Sequence, residues 1–236
     1  MTIAFEERTS DSPFVETITQ GWTLSAGTAT RPAETRWHMV FSRRDGQIHP
    51  LMVGPWAHSG AVTYDAGAEL LWIRFRIGVY MPRHLTRRML NTELALPSTG
   101  PRAFWLFDQS WEIPTFENAD TFVAWLADAG ELASDPIVAR SLQEAQSPVP
   151  ERTLRHRFLQ TTGLTQRHIR QVERAQQAAA MLRMGASILD TMCALDYYDQ
   201  PHLTRSLKAF VGFTPGALAA QHRTAQQENC PASAAG

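Results

Sequence analysis

The chain has 236 residues, 44% apolar and 19% charged, enough to bury one large core or two small ones and unlike a disordered or fibrous composition. No run of about 18 apolar residues suited to crossing a bilayer occurs, and Cys193 and Cys230 show neither metal-motif spacing nor a disulfide framework. The net charge of −1 divides unevenly: residues 1–135 carry 11 Arg and 16 acidic groups, a balance of −5, whereas residues 136–236 carry 10 Arg and one Lys against 7 acidic groups, a balance of +4. A basic C-terminal part on an acidic body suits a polyanionic partner.

In chain order, the opening "MTIAFEERTSD" is acidic and lacks an apolar core, so no secretory signal is expected and a reducing cytoplasm is the expected compartment. From about residue 22 to 80, short runs rich in Trp, Val and Ile are broken by Gly and Pro, the pattern of an all-β domain. "RWHMVFS" and "LLWIRFRIG" are the clearest strands; in the second, Ile73, Phe75 and Ile77 alternate with Trp72, Arg74 and Arg76. "RRDGQ" and "YDAGAE" read as turns. Trp37, Trp56, Trp72, Trp105 and Trp111 are expected mostly in the core, with one or two free to line a ligand cavity. His38, His49 and His58 are the candidates for a cupin-type metal site, but no His-x-His or distal carboxylate pattern accompanies them, and neither metal nor cofactor is expected.

After Pro82 the texture becomes helical in "RHLTRRML" and "NADTFVAWLADAG", the latter with Val123, Leu126 and Ala127 or Gly130 on one side. "GELASDP", residues 130–136, is the expected domain boundary. Beyond it the chain reads as helical to about residue 222. Asp135 and Pro136 cap and open a first helix, "PIVARSLQEAQ". "ERTLRHRFLQTTG" follows, with Leu154, Phe158 and Thr161 on its buried side. A long helix spans Thr165 to about Arg183, with Ile169, Val172, Ala179 and Ala180 on one stripe. A short helix from Ser187 to Leu195, packed within the second unit with Cys193 expected as a small buried or half-buried residue, leads to "YYDQPHLTRSLKAFVGFTP". There Asp199 stands at an N-cap, Pro201 in the first turn and Gly212 at the stop. Leu203, Leu207 and Phe210 make a narrow apolar stripe, with His202, Arg205 and Lys208, the only lysine, on the other side. Such a face needs a partner. The helical part thus holds two pairs, each a short helix followed by a candidate recognition helix, with Phe158 and Leu207 in equivalent places.

The run "RTLRHRFLQTTGLT…RQVERAQQAAAMLRMG" followed by "ILDT…YYDQPHLTRSLKAFVGFTP" resembles the AraC/XylS family of bacterial transcription regulators. The N-terminal stretch "FWLFDQSWEIPTFENADTFVAWL" is similar to a β-rich sensor domain carried by one branch of that family. The resemblance implies a monomer presenting two recognition helices to successive major-groove faces, about one DNA turn (~34 Å) apart. By position, the first helix offers Arg152, Arg155 and His156. The second offers Gln200, Pro201, His202 and Arg205, with Lys208 nearer the backbone. Three departures stand out. Asp196 occupies the second turn where glycine is usual, Pro148 stands in the first, and Met192 replaces a small residue.

The expected architecture is α+β. A β-rich sensor or assembly domain, a cupin-like barrel being one form, spans 1–131; a double helix-turn-helix domain spans 132–226, its units joined by a linker helix; and 227–236 form a disordered tail. The expected function is sequence-specific, effector-responsive transcription regulation, not catalysis. Double-stranded DNA is the principal partner; RNA polymerase, a small-molecule effector of unread identity and a second copy of the chain are the others, and no membrane is expected. Two competing readings are a cupin-like metalloenzyme with a helical appendage and a protein-binding adaptor whose helices no longer bind DNA.

Overall fold

The computed structural model describes residues 3–84, 86–144 and 149–228. The chain forms two compact units: the first takes in the chain up to Ala29, Glu34–Ala57 and Val62–Gln166, and the second Thr30–Ala33, His58–Ala61 and the chain from Arg167 onward.

The first unit is built on a six-stranded antiparallel sheet of β1 (Ile3–Thr9), β2 (Val15–Thr23), β4 (His38–Arg44), β5 (Gln47–Val53), β7 (Glu69–Phe75) and β9 (Glu93–Ala95), in the order β1-β2-β7-β4-β5-β9. The short strands β3 (Gly27–Arg31) and β6 (Gly60–Tyr64) pair with each other apart from this sheet. Period-2 patterning fixes the register. Ile18, Ile73, Met39 and Met52 lie opposite one another across four strands and are all buried. Each such side chain contributes about 1.5–3 kcal/mol by leaving water. The Asp-Gly turn expected in "RRDGQ" joins β4 to β5, with Asp45 at φ 52° and Gly46 at φ 75°.

This inner face is covered by a three-stranded sheet of β10 (Ser98–Gly100), β11 (Ala103–Leu106) and β12 (Gln109–Glu112), and by α1 (Ala119–Asp128). Phe122 of α1 meets Phe41, Phe104 and Trp111 with ring centroids 6.0–6.2 Å apart. Trp37 stacks on Phe75 at 3.9 Å and donates its indole N–H to the Val79 carbonyl at 2.8 Å.

Several expectations are corrected here. β1 and β2 lie before or across residue 22, and β9 to β12 lie in the stretch read as turning helical. Among the described residues of "RHLTRRML" there is a β-bridge at His84 and a 3-10 turn at Thr86–Arg88 but no α-helix. Trp105 is exposed, because alternation on β11 sends its neighbours Phe104 and Leu106 into the core and Trp105 outward. Trp56 and Trp72 are half-buried.

Residues 130–136 are not an open linker. β13 (Ala133–Ser134) pairs with β8 (Val79–Tyr80), and buried Glu131 accepts from Arg83 Nη1 at 3.1 Å. The helices α2 (Pro136–Ser141) and α3 (Glu151–Thr162) follow in this same unit. Gly78, at φ 86°, lets α2 approach: a Cβ there would lie 2.9 Å from the Asp135 carbonyl oxygen.

The second unit holds all but the first residue of α4 (Gln166–Arg183), with α5 (Ile188–Ala194), α6 (Gln200–Phe210) and α7 (Pro215–Glu228). Its core gathers Val172, Ala175, Ala178, Ala179 and Leu182 of α4 around Leu203, Leu207 and Phe210 of α6. Ala180 is exposed, so the α4 stripe runs through Ala175, Ala178 and Leu182 instead. Cys193 is also exposed and not packed inside, because α5 turns Thr191 inward while Met192 packs half-buried against the core. α7 continues to Glu228, past the expected end near residue 222 and into the first two residues of the expected disordered tail, 227–236; residues 229–236, with Cys230, lie outside the described residues.

The three histidines weighed for metal stand in different settings. His38 is half-buried beside Glu34, His49 is exposed on β5, and His58 belongs to the second unit. Among the described residues no three His, Cys, Asp or Glu side chains gather as metal ligands would.

Candidate nucleic-acid interface

The second helix pair is the more fully determined. Ser187 caps α5, its hydroxyl accepting the Asp190 N–H at 3.0 Å. Asp196 then adopts φ 52°, the left-handed turn expected of it, and Tyr197 N–H returns to the Met192 carbonyl at 3.0 Å. Buried Tyr197 hydrogen-bonds Ser206 through its hydroxyl at 3.1 Å and receives the Arg174 guanidinium 4.6 Å over its ring. Asp199 caps α6 by accepting the His202 N–H at 2.6 Å, and Pro201 sits in the first turn.

The far end of α6 is closed from a distance in sequence. Ala33 N–H donates to the Phe210 carbonyl at 2.7 Å, and Ser59 N–H donates to the Ala209 carbonyl at 2.8 Å. The Ser59 hydroxyl also donates to the Lys208 carbonyl at 2.9 Å, and His58 stacks on Phe210 with centroids 5.7 Å apart. These bonds satisfy the last carbonyls of a helix, which have no intrahelical partner. Only the glycine stop at Gly212, with φ 88°, was readable from local sequence.

The outcome is a helix held at both ends with one face free. Gln200, Pro201, Arg205 and Lys208 are exposed, and no acidic residue lies on α6. His202 differs: it is half-buried, with its ring edge-on to Tyr197 at 5.1 Å. Tyr198, just before the cap, is 91% exposed and was not singled out from the sequence. An aromatic bearing a hydroxyl, so placed, is suited to a phosphate or a sugar.

In the first pair, Asp135 caps α2, accepting from Ile137 N–H at 3.0 Å and Val138 N–H at 3.3 Å. The same carboxylate accepts from Arg157 Nη1 at 2.7 Å, tying α3 to the start of α2. Arg157 is thereby engaged within the pair, while Arg152, Arg155 and His156 share one exposed face of α3. Leu154, Phe158, Thr161 and Thr162 form its buried side, and Gly163 ends it at φ 72°. Gln166 Nε2 donates to the Ser141 carbonyl at 2.7 Å, closing α4's start onto α2. α3 also packs against the 3-10 turn and β8. Pro148 lies outside the described residues, so the turn between α2 and α3 is not described.

Each pair thus offers a short capped helix and a second helix whose outward face carries basic side chains, joined on α6 by the amide of Gln200, the arrangement that enters a DNA groove. A family model described as "Helix-turn-helix domain" matches residues 145–221. No curated protein and no solved structure matches the chain. Among the described residues no helix is long and apolar enough to cross a membrane. With both helix pairs inside or bordering the matched span and a β-rich unit before them, the match supports an AraC-type DNA-binding transcription regulator.

Proposed function

We propose that the protein reads a specific operator with two recognition helices and responds to a small molecule through its β-rich unit, residues 132–226 supplying the DNA contacts. The supporting observation is the outward face of α6, where Gln200, Pro201 and Arg205 precede Lys208 along a helix with no acidic residue. Arg205 makes a bidentate contact to guanine O6 and N7, and Gln200 pairs with adenine. Pro201 packs at the groove edge, Lys208 and Tyr198 hold phosphates, and half-buried His202 contributes from the margin. On α3, Arg152, Arg155 and His156 do the corresponding work in the adjacent groove segment. Phosphate contacts supply affinity, base contacts supply specificity, and the effector shifts the balance between binding-competent and incompetent arrangements. RNA polymerase and a second copy of the chain are the protein partners of this reading, which places the protein in the cytoplasm.

Selection of random duplexes on the purified full-length protein tests it. Enrichment of one motif, with alanine at Arg205 relaxing preference at a single base pair, is the expected result; one good bidentate pair is worth ~1–3 kcal/mol of discrimination. Failure to enrich any motif at low salt would turn the reading toward the adaptor. Uniform weakening by Arg205→Ala would make Arg205 a phosphate contact and move specificity to Gln200.

A further inference from the structure

The β-rich unit contains a cavity of about 180 Å³ where the inner row of its main sheet runs out to the surface. At ~30 Å³ per water this is room for roughly six waters, or for one small organic molecule. Phe41 and Leu71 form its floor, and the segment Ile113–Glu117 crosses it as a wall.

That wall is fixed in advance. Arg8 donates through Nη2 to the Phe116 carbonyl at 2.8 Å and through Nη1 to Asp120 at 2.7 Å. Thr115 N–H donates to Asn118 Oδ1 at 2.7 Å, and Asn118 N–H returns to the Thr115 hydroxyl at 3.3 Å. A preformed wall spares a ligand the entropy of ordering it.

The rim carries opposite charges that are not used elsewhere. Arg43 and Glu69 lie directly opposite each other across β4 and β7, and both line the cavity. Among the described residues neither side chain makes a hydrogen bond or ion pair, with each other or with anything else. The half-buried Gln20 adds an amide beside them. A ligand with a single charge would satisfy one rim group and leave the other facing it unmatched. The third charged lining residue, Glu117, is held by the Thr115 hydroxyl, so a ligand carrying both charges on a short head, with an apolar body, satisfies Arg43 and Glu69 together.

We infer that this cavity binds a small zwitterion of the α-amino-acid type, with a single ring or a branched aliphatic body. Its carboxylate lies on Arg43, its ammonium on Glu69, and its apolar body on Phe41, Leu71 and Phe116. The inference rests on the reading of the β-rich unit as the sensor, and it names the chemistry sensed.

Calorimetric titration of the full-length protein without DNA tests the site. The probes are L-phenylalanine and L-leucine, with phenethylamine and 3-phenylpropionate as analogues holding one charge each. One of the two amino acids is expected to saturate a single site, with tenfold or greater loss for a one-charge analogue of the phenylalanine frame or for the leucine frame's amine, isopentylamine. Arg43→Gln should erase the advantage of the amino acid over the amine, and Glu69→Gln its advantage over the acid. Both positions are exposed, and circular dichroism verifies folding. No saturable heat from either amino acid, equal binding of zwitterion and one-charge analogues, or unchanged binding in both variants overturns the proposal. With no DNA in the cell, such a result removes the zwitterion site alone. The regulator reading stands or falls on motif selection.

Discussion

Asp196 offers the most direct test of how the second helix pair is built. Its φ of 52° places an exposed, non-glycine residue in the left-handed region between α5 and α6. That conformation costs an L-residue roughly 1–2 kcal/mol, of which Asp recovers part through its short polar side chain. Asp196→Gly removes the steric cost but adds about 0.5–1 kcal/mol of unfolded-state entropy to be lost on folding. The two nearly cancel, leaving between zero and ~1 kcal/mol of stabilisation. Asp196→Val keeps the full cost and adds the stiffness of a β-branched side chain, so a loss of about 1–2 kcal/mol is expected. For a protein of this size each kcal/mol moves Tm by about 2–4 °C. Calorimetry should therefore place the glycine variant level with or slightly above the parent and the valine variant about 2–8 °C below it. Equal Tm values for the two variants would refute the assignment of this turn as the device that aims α6.

Three further outcomes are expected. Lys208→Ala should weaken binding to all duplexes alike and lower the salt slope by about one unit, read from affinities between 50 and 200 mM salt. A fragment of residues 132–226 should bind DNA with a steep salt dependence, but it lacks Ala33 and Ser59, which close α6, and β8, on which α3 packs. Amide exchange at the C-terminal turn of α6 and along α3 should therefore be faster in the fragment than in the whole protein; equal protection would mean these contacts add nothing. Burial lowers the pKa of His38 from 6.5 to about 4, with Arg74 and Arg36 adding to the effect and Glu34 opposing it. The unfolded chain therefore takes up the proton first, and stability should fall as pH drops from 6.5 toward 4, by at most ~1.4 kcal/mol per pH unit. For Glu34, burial raises the pKa, but His38, Arg74 and Arg36 outweigh it and hold the group below 4.5, so its contribution is lost at still lower pH. Urea midpoints at several pH values should show this decline in the parent and its flattening above pH 4.5 in His38→Gln.

The helical part was legible because its signals are local and chemical. Asp199 and Ser187 cap through their own side chains, Gly163 and Gly212 end helices with positive φ, and Asp196 takes the turn it was expected to take. The outward faces of α3 and α6 followed from period alone, apart from His202, whose contact with Tyr197 depends on how the turn folds back. The β-rich unit was legible where strands are half-buried and hidden elsewhere. β1 runs Ile3-Ala4-Phe5 into Glu6-Glu7-Arg8-Thr9, a block of apolar then polar residues with no alternation, and the two-residue β13 is too short to have a period. The closure of α6 by Ala33 and Ser59 could not be read at all, since Ser59 lies 150 residues from Ala209 and Ala33 lies further still from Phe210. Nor could the exposure of Cys193, because α5 is short and its inward side is chosen by tertiary packing.

Lys208 stands exposed on α6 in a chain whose other 21 basic residues, among 22 in all, are arginines. An amine-selective reagent therefore meets one ε-ammonium, and it lies on the helix proposed to read DNA. Acetylation would remove that charge at a single defined place, with the α-amino group as the other amine. Protection of Lys208 from acetylation by a bound duplex, followed by mass spectrometry, becomes a one-site occupancy assay that needs no mutation. The same chemistry warns against immobilising the protein through its amines, which would tether the recognition helix to the surface. Thiol coupling through exposed Cys193 would also lie within the second helix pair, so capture through a tag is the sounder choice.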